Sequence, residues 1–168
     1  ALEVDKGGFS IEPFLFADDR LLTWADGANH QELADGYLPI PTVRWQRDPF
    51  RLSITTFAAG APDKSVLYAR YRLENRSDAI RHVNLFLALR PFQVNPPWQS
   101  LNLVGGVAPI RTLVYANREI TTAPLGKRIT VLTEPVRFRA ATFDQGAITD
   151  YLVEGRLPTH EAVDDDEF

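Results

Sequence analysis

The chain contains no cysteine and no methionine among its 168 residues. Without cysteine there is no disulfide, no thiolate metal ligand and no thiol nucleophile. Such a chain suits an oxidising and a reducing compartment equally, so localisation stays open between cytoplasm and periplasm or secretion. Without methionine, even at position 1, the chain reads as processed or cut from a longer polypeptide. Its acidic end, His160–Phe168 (HEAVDDDEF), offers no closing element, and residues 159–168 are expected to fray. Also missing is any apolar run near the ~20 residues that a membrane-crossing helix needs, so no membrane partner is expected. Positive charge is in deficit, with a net charge of −4 and a pI near 5.4. Nucleic-acid-binding domains usually carry a basic face, so none is expected as a partner. What is present, 45% hydrophobic and 24% charged residues, is ordinary for one folded domain spanning residues 1–168.

The stretch from Ser65 to Gly106 organises the rest. Leu67, Ala69, Tyr71 and Leu73 alternate with Val66, Tyr68, Arg70 and Arg72, the period of two that marks a strand. Glu74–Asp78 is a polar break rich in turn formers. In the next run Val83, Leu85, Leu87 and Leu89 share one face, and Asn84, Phe86, Ala88, Arg90 and Phe92 form a second, largely apolar one. A strand apolar on both faces belongs inside a sheet covered on both sides, which predicts a central position for Val83–Leu89. Arg70 and Arg72 share one side of their strand, either as a solvated face or as a surface meeting another domain.

The remaining segments read mostly as short strands. Ser10–Phe16 and Arg20–Ala25 flank an Asp18-Asp19 turn, and Ala25–Gly36 reads as a polar loop. Pro39 and Pro41 keep the start of the next segment out of a central ladder. Thr42–Gln46 and Phe50–Ala58 form a hairpin through Arg47-Asp48-Pro49, and Gly60–Lys64 is a turn. Further on, Arg111–Ala116 and Arg118–Thr122 flank Asn117, followed by Arg128–Thr133 and a last strand, Val136–Phe143. From Gln145 to Glu154 the period becomes helical, with Asp144 placed to cap and Gly155 to end the helix. The class predicted is all-β, an antiparallel β-sandwich with one short helix near the C-terminus.

No catalytic constellation appears in the sequence. His30, His82 and His160 lie far apart in sequence, Asp164-Asp165-Asp166 lacks the glycine and spaced glutamate of a calcium loop, and no metal site or cofactor is expected. Asp26, Glu32, Asp35, Asp144 and Asp150 show no spacing that pairs two carboxyls for sugar chemistry. The candidate binding residues are instead Asn95, Trp98, Gln99 and Asn102, on a proline-stiffened loop. An indole face stacks on the C–H face of a sugar while amides bond its hydroxyls. The structural alternative is that Trp98 plugs the end of the sandwich or packs on a neighbouring domain. Trp24-Ala25-Asp26 with Asn29, His30 and Gln31 is a second polar–aromatic cluster.

Several segments, LLTWADGANHQELADGYLPIPTVRWQ, LYARYRLENRSD, LFLALRPFQVNPPWQSLN and GGVAPIR, resemble the β-sandwich that precedes an (α/α)6 toroid in large bacterial glycoside hydrolase- or phosphorylase-like proteins. Some of those carry discoidin-type, coagulation-factor-like domains. The resemblance runs over Leu21–Pro158 and is most specific in ALRPFQVNPPWQ. It implies a supersandwich of the galactose-mutarotase type, with catalytic carboxylates supplied by a toroid outside this chain. The expected function is then a non-catalytic accessory domain packed on a helical catalytic domain of the same polypeptide. The alternative is a free-standing carbohydrate-binding module using Trp98, with Trp45 as a second aromatic. A third reading, a mutarotase-like epimerase, would need a histidine and a carboxylate converging in one cleft.

Overall fold

The computed structural model describes residues 1–5, 7–62, 64–94 and 106–164. In chain order the strands are β1 (Leu2–Glu3), β2 (Ser10–Ala17), β3 (Arg20–Leu22), β4 (Asn29–Ala34), β5 (Leu38–Arg47), β6 (Phe50–Ala59) and β7 (Val66–Asn75). They continue with β8 (Val83–Arg90), β9 (Thr112–Ala116), β10 (Glu119–Ala123), β11 (Arg128–Thr130), the helix α1 (Ile148–Val153) and β12 (Ala162–Asp164). With 51% strand and 6% helix, the protein is an all-β, sandwich-like fold of mostly antiparallel sheets. The chain divides into two compact units, Ala1–Leu21 with Phe86–Phe168, and Leu22–Leu85.

In the first unit β2 is the organising strand, with β1, β3 and β8 all paired to it. Phe14 and its neighbour Leu15, whose side chains point to opposite faces, are both fully buried, as are Phe9 and Pro13. The rule that a two-faced apolar strand is central therefore holds, but for β2. The expectation for Val83–Leu89 is corrected: β8 is a strand whose only partner among the described residues is β2. Leu87 is 43% exposed, and Leu85 is half-buried. The two-residue turn Asp18-Asp19 has positive φ at both positions (51° and 57°), the type I′ geometry that suits the twist of a hairpin. The same device, Asn117-Arg118 at 51° and 65°, joins β9 to β10 in the second sheet of this unit, ordered β11-β10-β9-β12.

Two expectations fail near the C-terminus. Val136–Phe143 is not a strand; among the described residues its one pairing is the isolated bridge Ala140–His160. The acidic segment does not fray throughout: Ala162–Asp164 pairs with β9, and Asp164 accepts from the Thr112 hydroxyl at 3.0 Å. The helix starts later than its periodicity suggested. Asp144 lies in a 3-10 turn, Phe143–Gln145, and Ala147 is the residue before α1. The C-terminal stop is as expected. Gly155 N–H bonds Leu152 O (3.0 Å) and Arg156 N–H bonds Tyr151 O (3.0 Å), the paired bonds of a Schellman ending. Gly155 has φ +66°, and a Cβ there would meet the Phe16 ring at 2.8 Å.

The second unit is one sheet, β4-β5-β6-β7. The hairpin between β5 and β6 forms as predicted, with Arg47 opposite Phe50. The prolines act as expected too: Leu38 and Pro41 pair only with β4, and the β6 ladder begins at Thr42. Ala25–Gly36, read as a loop, contains β4 instead. β7 ends the sheet, paired with β6 alone among the described residues.

Candidate binding face

The Leu22–Leu85 sheet sorts its side chains strictly by alternation. Cross-strand register places Asn29, Trp45, Leu52 and Leu73 in one row, and Gln31, Val43, Ile54 and Tyr71 in the next. This is the apolar face, with Trp45, Phe50 and Leu52 buried. Burial drives the Tyr71 phenol pKa up to about 12, because desolvation disfavours the phenolate. The opposite face is polar over the rows from Glu32 to Glu74, with Phe57 and Tyr68 beyond them. One row is His30, Arg44, Ser53 and Arg72; another is Glu32, Thr42, Thr55 and Arg70; a third is Gln46, Arg51 and Glu74.

The contacts on this face divide its charges into two groups. Glu32 holds Arg44 through a fork, one arm of which is 2.6 Å (Nη1 to Oε2). Glu74 holds Arg72 at 2.9 Å. Among the described residues Arg51 reaches only the Gln46 amide oxygen, at a long 3.4 Å, while Gln46 donates to Asp48 at 2.6 Å. Arg70 has no hydrogen bond or ion pair among the described residues. Thr42 and Thr55 share a hydroxyl–hydroxyl bond of 2.8 Å. Where β4, β5 and β6 meet, an open depression of about 260 Å³ is lined by Ala28, Asn29, His30, Arg44, Gln46 and Arg51. Further along, Phe57 and Tyr68 stack on each other, ring centres 5.0 Å apart.

One edge of the depression is held by a buried arginine. Arg47, 5% exposed, donates to the carbonyls of Thr23, Trp24, Ala28 and Gln46 and to the Asn29 side chain, at 2.9–3.2 Å. Desolvation lowers its pKa from the usual guanidinium range, opposed by the nearby Asp26 charge. Asp26 in turn accepts from both N–H and Oγ1 of Thr23 at 2.8 Å. The loop is thereby tied to the strand, and Trp24, 60% exposed, sits on it.

Of the residues predicted to bind, Asn95, Trp98, Gln99 and Asn102 lie outside the described residues. The stems of their loop are described: Phe92 bridges Val107, and Gln93 exchanges bonds of 3.2 and 2.9 Å with Gly106. Trp45 is corrected from candidate platform to core residue, 2% exposed. His30 is exposed but lies on a strand rather than a loop. Arg70 and Arg72 do share a face, and it is exposed. Asp144 and Asp150 are exposed in the other unit, and His160 meets Gln145 at 2.8 Å. Sequence reasoning overlooked Arg44 and Arg51 as site residues. Their signal was available, since polar residues recur at every second position through Thr42–Gln46 and Arg51–Thr55. No family model, curated protein or solved structure matches the chain.

Proposed function

We propose that this chain is an accessory β-domain that engages carbohydrate through the polar face of β4–β7. The observation that carries the reading is the arrangement of Arg44 with Glu32, Arg72 with Glu74, and the Thr42, Ser53 and Thr55 hydroxyls between them. A guanidinium beside a carboxylate offers donors and an acceptor side by side, the pattern that a pair of neighbouring sugar hydroxyls requires. Short hydroxyls in the middle of the face leave room for a flat ring to approach the sheet. The resemblance of Leu21–Pro158 supports the same class. It adds a helical toroid of the same polypeptide as the domain partner, and a supersandwich as the finer description of the fold.

The test is affinity electrophoresis of the full chain through gels containing neutral and charged polysaccharides. Retardation by at least one glycan is expected, reduced at least tenfold in affinity by Arg44→Gln with Arg72→Gln. Unretarded migration in every gel refutes the reading.

A further inference from the structure

The charges on the polar face do not balance, and the imbalance has a spacing. Four arginines, Arg44, Arg51, Arg70 and Arg72, face two glutamates, Glu32 and Glu74. Both glutamates are already engaged, by Arg44 and Arg72. Among the described residues Arg51 and Arg70 are left without a carboxylate, in a chain whose net charge is −4. Overall charge therefore does not explain a cationic face, and the excess is local. Asp48, at the hairpin end, is bonded to Gln46 rather than to Arg51.

Register gives the backbone separation of these two arginines. Arg70 lies opposite Thr55, four residues along β6 from Arg51. At about 3.3 Å per residue and ~4.8 Å between strands, their backbones are roughly 14 Å apart. A polyphosphate matches this separation poorly, because duplex DNA carries one phosphate per ~3.4 Å of helix axis on each strand, several charges in the span where this face offers two cations. The aromatic pair does not favour nucleobases either, since Phe57 and Tyr68 each spend one ring face on the other. A chain with charges set widely apart, and hydroxyls between them, matches both the spacing and the Thr42, Ser53 and Thr55 surface between the arginines. The planar guanidinium fork is suited to a carboxylate in two-point contact.

We infer that the ligand of this face is an acidic glycan in which uronic acid and neutral sugars alternate, with Arg51 and Arg70 each taking a carboxylate. The inference rests on the carbohydrate-binding reading above and adds the class of sugar. It is tested by equilibrium binding of the full chain to hyaluronan, dextran, heparin and an oligothymidylate across a salt series. Hyaluronan is expected to bind at least tenfold more tightly than dextran. Arg51→Gln with Arg70→Gln should erase that preference and flatten the salt dependence by about the two charges removed. A charge-matched control, Arg128→Gln with Arg137→Gln, should leave it unchanged; both residues are exposed in the other unit.

Binding to dextran with none to hyaluronan overturns the acidic class and leaves the carbohydrate reading standing. Binding to none of the glycans overturns both. Tighter binding of heparin or oligothymidylate than of hyaluronan overturns the assignment in favour of densely charged polyanions. Equal losses in the two double variants overturn the placement on this face.

Discussion

Removing the guanidinium of Arg47 tests whether the loop at residues 23–29 is held by one buried side chain. Its six hydrogen bonds converge from three nitrogens. Arg47→Met keeps the length and apolar stem but leaves the acceptors without their donor. Trp24, Ala28 and Asn29 are exposed, so water can replace the lost donor there. Thr23 and Gln46 are half-buried, and each orphaned carbonyl costs about 1–3 kcal/mol. Relief from burying a charge offsets part of this, so the net loss is about 3 kcal/mol. Arg47→Lys keeps the charge but offers three donors instead of five, and should lose about 1–2 kcal/mol. The measurement is urea unfolding followed by Trp45 fluorescence, with Trp24→Phe and Trp98→Phe as background. Stability of Arg47→Met within ~0.5 kcal/mol of the parent, the range of an ordinary surface change, would refute the account.

Two further outcomes follow from burial. Leu52→Ala, at a fully buried site, should cost about 2–5 kcal/mol, while Leu87→Ala, 43% exposed on β8, should cost under ~1 kcal/mol because little cavity forms. Equal losses in urea unfolding would contradict the peripheral place of β8. Tyr71, with its phenol pKa raised from 10.0 to about 12, contributes stability that is complete below pH 10 and is lost as pH rises toward 12. Ultraviolet titration should show late ionisation from two of the five tyrosines, because the hydrogen bond to Glu134 raises Tyr115 as well, and Tyr71→Phe should remove the later, burial-driven step; a single transition near pH 10 for all five would overturn it.

Local patterns carried most of the elements. The alternation of Val66–Leu73, the Asp18-Asp19 and Asn117 turns, the hairpin through Asp48-Pro49 and the glycine stop at Gly155 all depend on interactions within a few residues. β4 was missed because NHQELA contains little that is apolar. It is a strand because β5 supplies a ladder from Asn29 to Ala34, a partner invisible from within the segment. Val136–Phe143 failed in the opposite way, with strand-like residues but only one bridge to pair with.

What the chain alone determined about this protein was its class and which residues lie on which side of each strand, because side-chain direction has a period of two regardless of context. Which strand is central was not determined locally, since Pro13-Phe14-Leu15-Phe16 and Val83–Leu89 are both apolar on two faces. Three strands pair with β2, whereas β8 pairs with β2 alone among the described residues. The same limit applies to the binding face. Arg44, Arg51, Arg70 and Arg72 come from three strands spread over 29 positions of sequence. Only ladder register brings them onto one surface, leaves two of them without a carboxylate among the described residues and sets the backbone distance between those two.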